Sequence, residues 1–179
     1  MRIFIGIDFG IRQKEAIRRV QDSLRKAAEG RFTRTDNIHL TLNFLGEVDK
    51  ERLQQVFSVV DEAASVTKAF SLRLGKLGYF PSGRKKIIWL GIEECRGLQN
   101  LYITLSDALE KIGFEKEGRD YSPHLTLVRE ARILRQFEDA DMSPLDGNET
   151  QEVSEVTVFE STSRRGVLEY LPLHSARLI

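Results

Sequence analysis

The tetrapeptide His-Leu-Thr-Leu occurs twice in the chain, at residues 39–42 and again at residues 124–127. The chain has three histidines, and two of them begin these repeats. Each repeat alternates polar and apolar residues, which predicts a β-strand whose side chains point to opposite faces in turn. The leucines would then anchor each strand in a core, and the histidine and threonine would stand together on the other face.

Two histidine–threonine pairs could cleave a phosphate ester if their strands met across one cleft. The unperturbed pKa of an imidazole is about 6.5, so near neutral pH one ring can accept a proton while the other donates one. Threonine hydroxyls could donate to phosphate oxygens as charge builds up in the transition state. The alternative for each pair alone is an exposed polar face, but two identical copies favour catalysis. The third histidine, His174, lacks the pattern and is predicted to be a surface residue of a strand.

The sequence predicts neither a metal site nor a cofactor, because histidines and carboxylates do not cluster with the spacing of metal ligands. Cys95 is the only cysteine, so an internal disulfide cannot form and a reducing compartment is favoured. The apolar stretch at the start of the chain is too short for a secretory signal, because a charged residue interrupts it too early. No apolar run approaches the roughly 20 residues of a membrane span. We therefore expect a soluble, cytoplasmic monomer that does not contact a membrane.

The charges of the chain sum to zero, which argues against a protein that coats long nucleic acid. They are nevertheless unevenly distributed. Residues 1–35 contain nine Lys or Arg against four acids, whereas residues 136–163 contain eight acids and no Lys or Arg. One interpretation is two solvated faces of opposite sign. The other is a local field that attracts a small anion or an RNA end.

The elements that must position the repeats alternate between strands and helices. Apolar periodicity predicts three helices: one between Gly10 and Gly30, one capped by Asp49, and one over residues 98–112 that ends at Gly113. Residues 79–84 are predicted to form a polar turn, and residues 130–152 a loop with at most one helix. Strands are predicted over residues 2–8, 37–44, 70–77, 86–92, 123–128, 153–161 and 167–173. This order predicts an α+β fold with helices covering largely antiparallel sheets.

The repeats and the sequence around them resemble the 2H phosphoesterase superfamily, whose signature is two His-x-Thr/Ser-x motifs. The wider context resembles its RNA 2′,3′-cyclic phosphodiesterase branch, also called the LigT-type or 2′-5′ RNA ligase family. The resemblance implies one bilobal domain over residues 1–179 with an internal duplication: two pseudo-symmetric antiparallel sheets, helices on the outside and a central cleft. The matching stretches span nearly the whole chain: residues 2–8, 37–46, 78–81, 88–91, 122–129 and 161–173.

The resemblance also implies hydrolysis of a 2′,3′-cyclic phosphate, on an RNA end or a small nucleotide, to a 2′-phosphomonoester. His124 would be the general base toward water, His39 the general acid toward the 3′ oxygen, and Thr41 and Thr126 would hold the phosphate. Arg129 would add positive charge near the phosphate or the base. Strand alternation places Arg129 on the leucine side, so it can serve only if the strand ends or bulges before it. The alternative is a surface arginine.

Phe9, Phe44 and Phe80 are candidates to stack on a terminal nucleobase, because aromatic stacking tolerates any base. Each could instead be a core residue, and by alternation Phe44 belongs with Leu40 and Leu42. Residues 82–86 could contact the RNA backbone. Two other functions stay open: joining RNA ends through a 2′-5′ linkage by the reverse reaction, and binding nucleotides or RNA ends without catalysis. The intact histidines and threonines of both motifs argue against the second.

Overall fold

The structure, a computed structural model, describes residues 1–137 and 140–179. In these residues three helices accompany two antiparallel sheets, which confirms the predicted α+β class. The helices are α1 (Ile11–Leu24), α2 (Lys50–Ser65) and α3 (Arg96–Lys111). The strands are β1 (Arg2–Asp8), β2 (Ala28–Phe32), β3 (His39–Glu47), β4 (Phe70–Ser82), β5 (Lys85–Ile92), β6 (His124–Ile133), β7 (Thr150–Val153), β8 (Glu155–Arg164) and β9 (Val167–Arg177).

The two motifs lie in different sheets. One sheet has the strand order β3-β1-β8-β9 and the other β2-β6-β5-β4-β7. The first motif therefore lies on an edge strand, whereas the second lies on a strand with neighbours on both sides. Leucines of both motifs belong to the same hydrophobic core, and Leu40 and Leu125 are completely buried in it. The core thus fixes the backs of both motif strands at once.

The helices begin and pack largely as their sequence patterns predict. The Asp49 side chain accepts a hydrogen bond of 2.8 Å from the backbone N–H of Arg52 and so caps the start of α2. Leucine, valine and alanine side chains form the buried face of α2, and the chain leaves α3 through Gly113, whose φ is +86°. In the described residues no helix is long and apolar enough to cross a membrane.

The predicted end of α1 at Gly30 is wrong. The helix ends at Leu24, and a short turn leads into β2, which pairs with β6. Gly30 lies in this strand, where an added Cβ would come within 2.8 Å of the Arg129 carbonyl oxygen and of Val128 Cγ1. Glycine is therefore needed here for close contact between two strands.

Several strands extend beyond their predicted ends because they pair with neighbouring strands. The local alternation of polar and apolar residues does not predict this pairing. β4 continues through Tyr79 and Phe80 to Ser82, so the hairpin turns only at Gly83 and Arg84. β6 continues to Ile133, and β7 lies in the stretch predicted as a loop. The remainder of that prediction includes residues 138 and 139, which lie outside the described residues. The C-terminal hairpin is confirmed, with β9 reaching Arg177.

His174 lies in β9 as predicted, but it is not a simple surface residue. Its Nε2 is 2.7 Å from the Asp61 carboxylate of α2, and its ring stacks on Phe57 at a centroid distance of 4.7 Å. These contacts connect α2 to the sheet and lie away from the motifs.

Candidate active site

The two motifs face a single cleft of about 240 Å³. His39 and Thr41 line it from β3, and His124 and Thr126 line it from β6. The second sheet, the segment before β3 and the C-terminal hairpin supply the remaining lining residues: Arg31, Phe32, Thr33, Arg34, Asn37, Arg129, Leu168 and Tyr170. The structure therefore brings together all four polar residues that the repeats singled out.

Both imidazoles are held by the same backbone hydrogen bond. The Nδ1 atom of His39 lies 2.7 Å from the Asn37 carbonyl oxygen, and that of His124 lies 2.7 Å from the Ser122 carbonyl oxygen. A carbonyl oxygen can only accept, so each Nδ1 is protonated. It donates a hydrogen bond to the carbonyl of the residue two positions earlier. In the neutral ring, Nε2 is then an unprotonated acceptor. For His39 this acceptor lies 3.0 Å from the Thr41 hydroxyl, which donates to it.

Aromatic side chains fix the plane of each imidazole. The centroid of the His39 ring lies 4.7 Å from that of Phe4 and 4.8 Å from that of Tyr170, whose ring it meets edge to face. The His124 ring meets Phe80 edge to face, with 4.9 Å between centroids. The rings are thus partly enclosed by apolar surface, which disfavours their charged forms.

This enclosure sets the protonation state of the cleft. Burial lowers the pKa of His39 from 6.5 to about 4, although the Asn37 carbonyl and the Asp8 carboxylate act in the opposite direction. Burial also lowers the pKa of His124, against the Ser122 carbonyl. The Arg129 guanidinium lowers the pKa of both rings further. Both imidazoles are therefore neutral at pH 7 in the free protein.

A β-bulge in β6 explains how Arg129 reaches the cleft. Trp89 of β5 pairs with Thr126, but the next β5 residue, Ile88, pairs with Val128, so Leu127 is an extra residue. The extra residue reverses the alternation, and Arg129 lines the cleft with the motif residues instead of following the leucines into the core. The bulge that Arg129 needs in order to face the cleft is therefore present.

A matching bulge in β3 changes the side on which Phe44 lies. Gly6 pairs with Thr41 and Ile5 pairs with Asn43, so Leu42 is the extra residue. Phe44 is consequently 45% exposed, and its assignment to the core by alternation is wrong. It lines an extension of the cleft, where the Arg2 guanidinium lies 5.1 Å from its ring centroid.

The other aromatic candidates and the predicted contact loop have different positions. Phe9 is 4% exposed and belongs to the core, so its prediction as a stacking residue is wrong. Phe80 is half-buried between His124 and Trp89, where it packs against the imidazole. Residues 82–86 form the tip of the β4–β5 hairpin, where Lys85 pairs with Glu130 at 3.4 Å.

Sequence reasoning missed several residues of the cleft. Arg31 donates to the Glu130 carboxylate at 2.6 Å, and Arg34 lies 3.5 Å from the Asp36 carboxylate. Both belong to the basic segment of residues 1–35, so the uneven charge distribution was the signal for them. Tyr170 had no such signal, because only the turn of the C-terminal hairpin brings it to His39. Within residues 1–137 and 140–179, no three His, Cys, Asp or Glu side chains are grouped where they could hold a metal ion.

Known proteins are similar to this chain in both sequence and fold. Residues 10–89, which include the first motif, match the family described as LigT like phosphoesterase. The RNA 2′,3′-cyclic phosphodiesterase of Escherichia coli K12 is 32% identical over 174 residues, covering 96% of this chain and 93% of the relative. The protein of the same name from Methanothermobacter thermautotrophicus is 33% identical over 131 residues, covering 72% and 71%.

Solved structures extend this likeness over the whole chain. The crystal structure of E. coli LigT in apo form superposes with a TM-score of 0.84 at 29% identity, covering 99% of this chain and 96% of that one. The structure of E. coli LigT complexed with 3′-AMP gives 0.82 at 28% identity, covering 99% and 97%. The shared architecture therefore includes both sheets and both motif strands.

Proposed function

We propose a reaction for this chain from one premise: the chain belongs to the LigT-like phosphoesterase family and is an enzyme that cleaves phosphate esters. The reaction is hydrolysis of a 2′,3′-cyclic phosphate, on an RNA end or a small nucleotide, to a 2′-phosphomonoester. The observation that carries the proposal is the pair of imidazoles in one cleft, each bonded through Nδ1 to the backbone two residues earlier. The names of the bacterial and archaeal relatives support the substrate class.

His124 and His39 divide the two proton transfers between them. The free Nε2 of His124 takes a proton from water, and the water oxygen attacks phosphorus. The bond from phosphorus to the ribose 3′ oxygen breaks, and the imidazolium of His39 gives that oxygen its proton. Each transfer needs a donor and an acceptor within about 3 Å. Both Nδ1 atoms are already committed to the backbone, which leaves Nε2 of each ring for this chemistry.

The acid receives its proton together with the substrate. A pKa of about 4 leaves His39 neutral in the free protein, but the negative charge of a bound phosphate raises the pKa of an adjacent imidazole. The Asp8 carboxylate acts on His39 in the same direction. Protonation of Nε2 also ends its role as acceptor for Thr41, so this hydroxyl becomes free to donate to a phosphate oxygen.

Positive charge and hydroxyl donors stabilise the phosphate while the bond changes. Arg129 can offer two parallel N–H donors to two phosphate oxygens, which is the strong geometry for this pair. Thr126 and Thr41 supply one hydroxyl each from opposite sides of the cleft. The reaction uses protons and fixed donors only, so we propose that it needs no metal ion. Because one chain supplies both motifs, we also propose that a monomer is active.

The product formed from 2′,3′-cyclic AMP tests the reaction. Phosphorus NMR should show adenosine 2′-phosphate as the main product, at a rate that EDTA leaves unchanged. Adenosine 3′-phosphate as the main product would overturn the proposed orientation of the ribose. Loss of activity with EDTA and its recovery on adding a divalent ion would overturn the metal-free mechanism.

A further inference from the structure

A backbone carbonyl of each motif accepts a hydrogen bond from a side-chain hydroxyl. That hydroxyl belongs to the segment that precedes the other motif in the chain. The Tyr121 hydroxyl donates to the Thr41 carbonyl at 3.0 Å, and the Thr33 hydroxyl donates to the Thr126 carbonyl at 2.7 Å. Tyr121 lies in residues 112–123, which lead into the second motif, and Thr33 lies in residues 33–38, which lead into the first. The two bonds therefore form a reciprocal connection between the motifs.

The segment that carries Thr33 also holds the bulge in β6. A bulge interrupts the regular ladder and leaves backbone groups that need other partners. In β6 the Leu127 carbonyl accepts from the Thr33 backbone N–H at 2.8 Å and from the Gln21 side chain at 3.0 Å. Thr33 thus holds the extra residue Leu127 with its N–H and the preceding residue, Thr126, with its hydroxyl. The backbone that carries His124 is held by a residue that leads to His39.

The tyrosine side of the connection is equally well defined. The Tyr121 ring stacks on Tyr102 with a centroid distance of 4.0 Å and an angle of 7° between the planes. Burial raises the pKa of the Tyr121 hydroxyl, which therefore remains a donor. Removing only this hydroxyl would leave the aromatic stack in place and break the bond to the first motif.

We propose that Thr33 and Tyr121 are positioning residues that hold the two motif strands at the separation needed for paired proton transfer. The kinetic part of this inference rests on the proposed function. Both hydroxyls are bonded to backbone carbonyls, so they act on the imidazoles through the motif backbones. Displacement of a reacting group by about 1 Å can cost about 10²-fold in rate, so a small change in strand separation is enough to lower turnover.

Kinetic constants of hydroxyl-deletion variants test the effect on turnover. Tyr121→Phe and Thr33→Val should each lower kcat for 2′,3′-cyclic AMP by about 10-fold, with KM changed by no more than about 2-fold. Thr33→Ser keeps the hydroxyl and should retain wild-type kcat. Tyr102→Phe keeps the ring that stacks on Tyr121 and leaves the Tyr121 hydroxyl in place, so this variant should also retain wild-type kcat. Unchanged kcat in both deletion variants, with circular dichroism showing them folded, would overturn the proposal.

The imidazole nitrogen NMR spectrum gives a readout that does not depend on activity. The chain has only three histidines, and His174 serves as an internal reference away from the cleft. Tyr121→Phe should shift the His39 signals more than those of His124, and Thr33→Val should shift His124 more than His39. Shifts mainly of the histidine closer in sequence would show a local role and contradict the reciprocal connection. If the wild-type protein does not hydrolyse the substrate, the proposed function is wrong. The NMR spectrum still tests whether Tyr121 and Thr33 each position the histidine of the other motif.

Discussion

The strands β3 and β6 carry the same tetrapeptide, the same bulge at its second leucine and the same backbone bond to imidazole Nδ1. Their surroundings differ. β3 is an edge strand whose histidine packs against Phe4 and Tyr170, whereas β6 lies between two other strands. The pKa of His39 is lowered to about 4, and its Nε2 accepts from Thr41. One local sequence thus gives one backbone geometry, while the neighbouring residues make the two histidines chemically unequal.

The difference continues in the residue that lies five positions after each histidine. Both bulges turn this residue toward the cleft, where the first motif contributes Phe44 and the second contributes Arg129. At this position one motif therefore contributes an aromatic ring and the other a cation. We propose that the shared motif, bulge and backbone bond reflect an internal duplication within a single domain over residues 1–179, and that the two copies have since diverged in function.

Alanine substitution of either motif histidine should have the largest effect. Loss of a general acid or base typically costs 10²–10⁴-fold in rate, so His39→Ala and His124→Ala should each lower kcat on 2′,3′-cyclic AMP by about that factor. The double variant should lose much less than the product of the two, because the residues act as a unit. His174→Ala is the matched control and should change kcat by less than about 2-fold. Near-wild-type activity of folded His39→Ala would mean that the first motif is only structural.

Substitution of either motif threonine should lower kcat/KM, and the two substitutions should differ in their effect on the pKa of His39. Thr41→Val and Thr126→Val should each cost about 2–4 kcal/mol in kcat/KM if the hydroxyls hold phosphate in the transition state. Only Thr41 donates to an imidazole, and that bond favours the neutral ring. Thr41→Val should therefore also raise the pKa of His39, as measured by NMR titration of the free protein, whereas Thr126→Val should leave it unchanged. Equal pKa changes in both variants would remove this distinction.

Substitution of the residue after each bulge compares the cationic side with the aromatic one. Arg129→Gln should lower kcat/KM by about 10–100-fold, the usual cost of losing a charged hydrogen bond. It should also raise the pKa of both histidines, because the guanidinium lowers both in the free protein. Phe44→Leu should change KM by less than about 10-fold and leave both pKa values where they are. A larger loss from Phe44→Leu than from Arg129→Gln would reverse this comparison.

Acid denaturation should report the burial of His39. Its pKa is about 4 when folded and 6.5 when unfolded, so the unfolded chain binds the extra proton first as the pH falls. The stability that His39 contributes is complete above pH 6.5 and decreases as the pH falls toward 4, by about 2 kcal/mol at pH 5. Urea titrations at pH 7 and pH 5 should show that His39→Gln loses less stability than the wild type over this range. Identical losses would mean that His39 is not buried in its neutral form.

How far the site could be predicted follows from the same bulges. Up to the fourth motif residue, strict alternation identified which side chains face the core and which face the cleft. Beyond it the alternation fails, and it misplaced both Phe44 and Arg129, because a bulge depends on the register of the partner strand. The helix end predicted at Gly30 fails for the same reason, since the need for a glycine at this position comes from close contact with β6. Tyr170 approaches His39 only through the fold of the C-terminal hairpin.

The division of roles between two identical motifs is tested most directly by a substrate whose leaving group needs no proton. A 3′-deoxyadenosine 2′-phosphate esterified with 4-nitrophenol has no neighbouring hydroxyl to attack phosphorus and releases 4-nitrophenolate, so its hydrolysis requires the base but not the acid. His39→Ala should cleave this ester within about 10-fold of the wild-type rate and yet fail on the cyclic phosphate, whereas His124→Ala should fail on both. Rescue of His124→Ala in place of His39→Ala, or equal losses in the two variants, would contradict the assignment of His39 as acid and His124 as base.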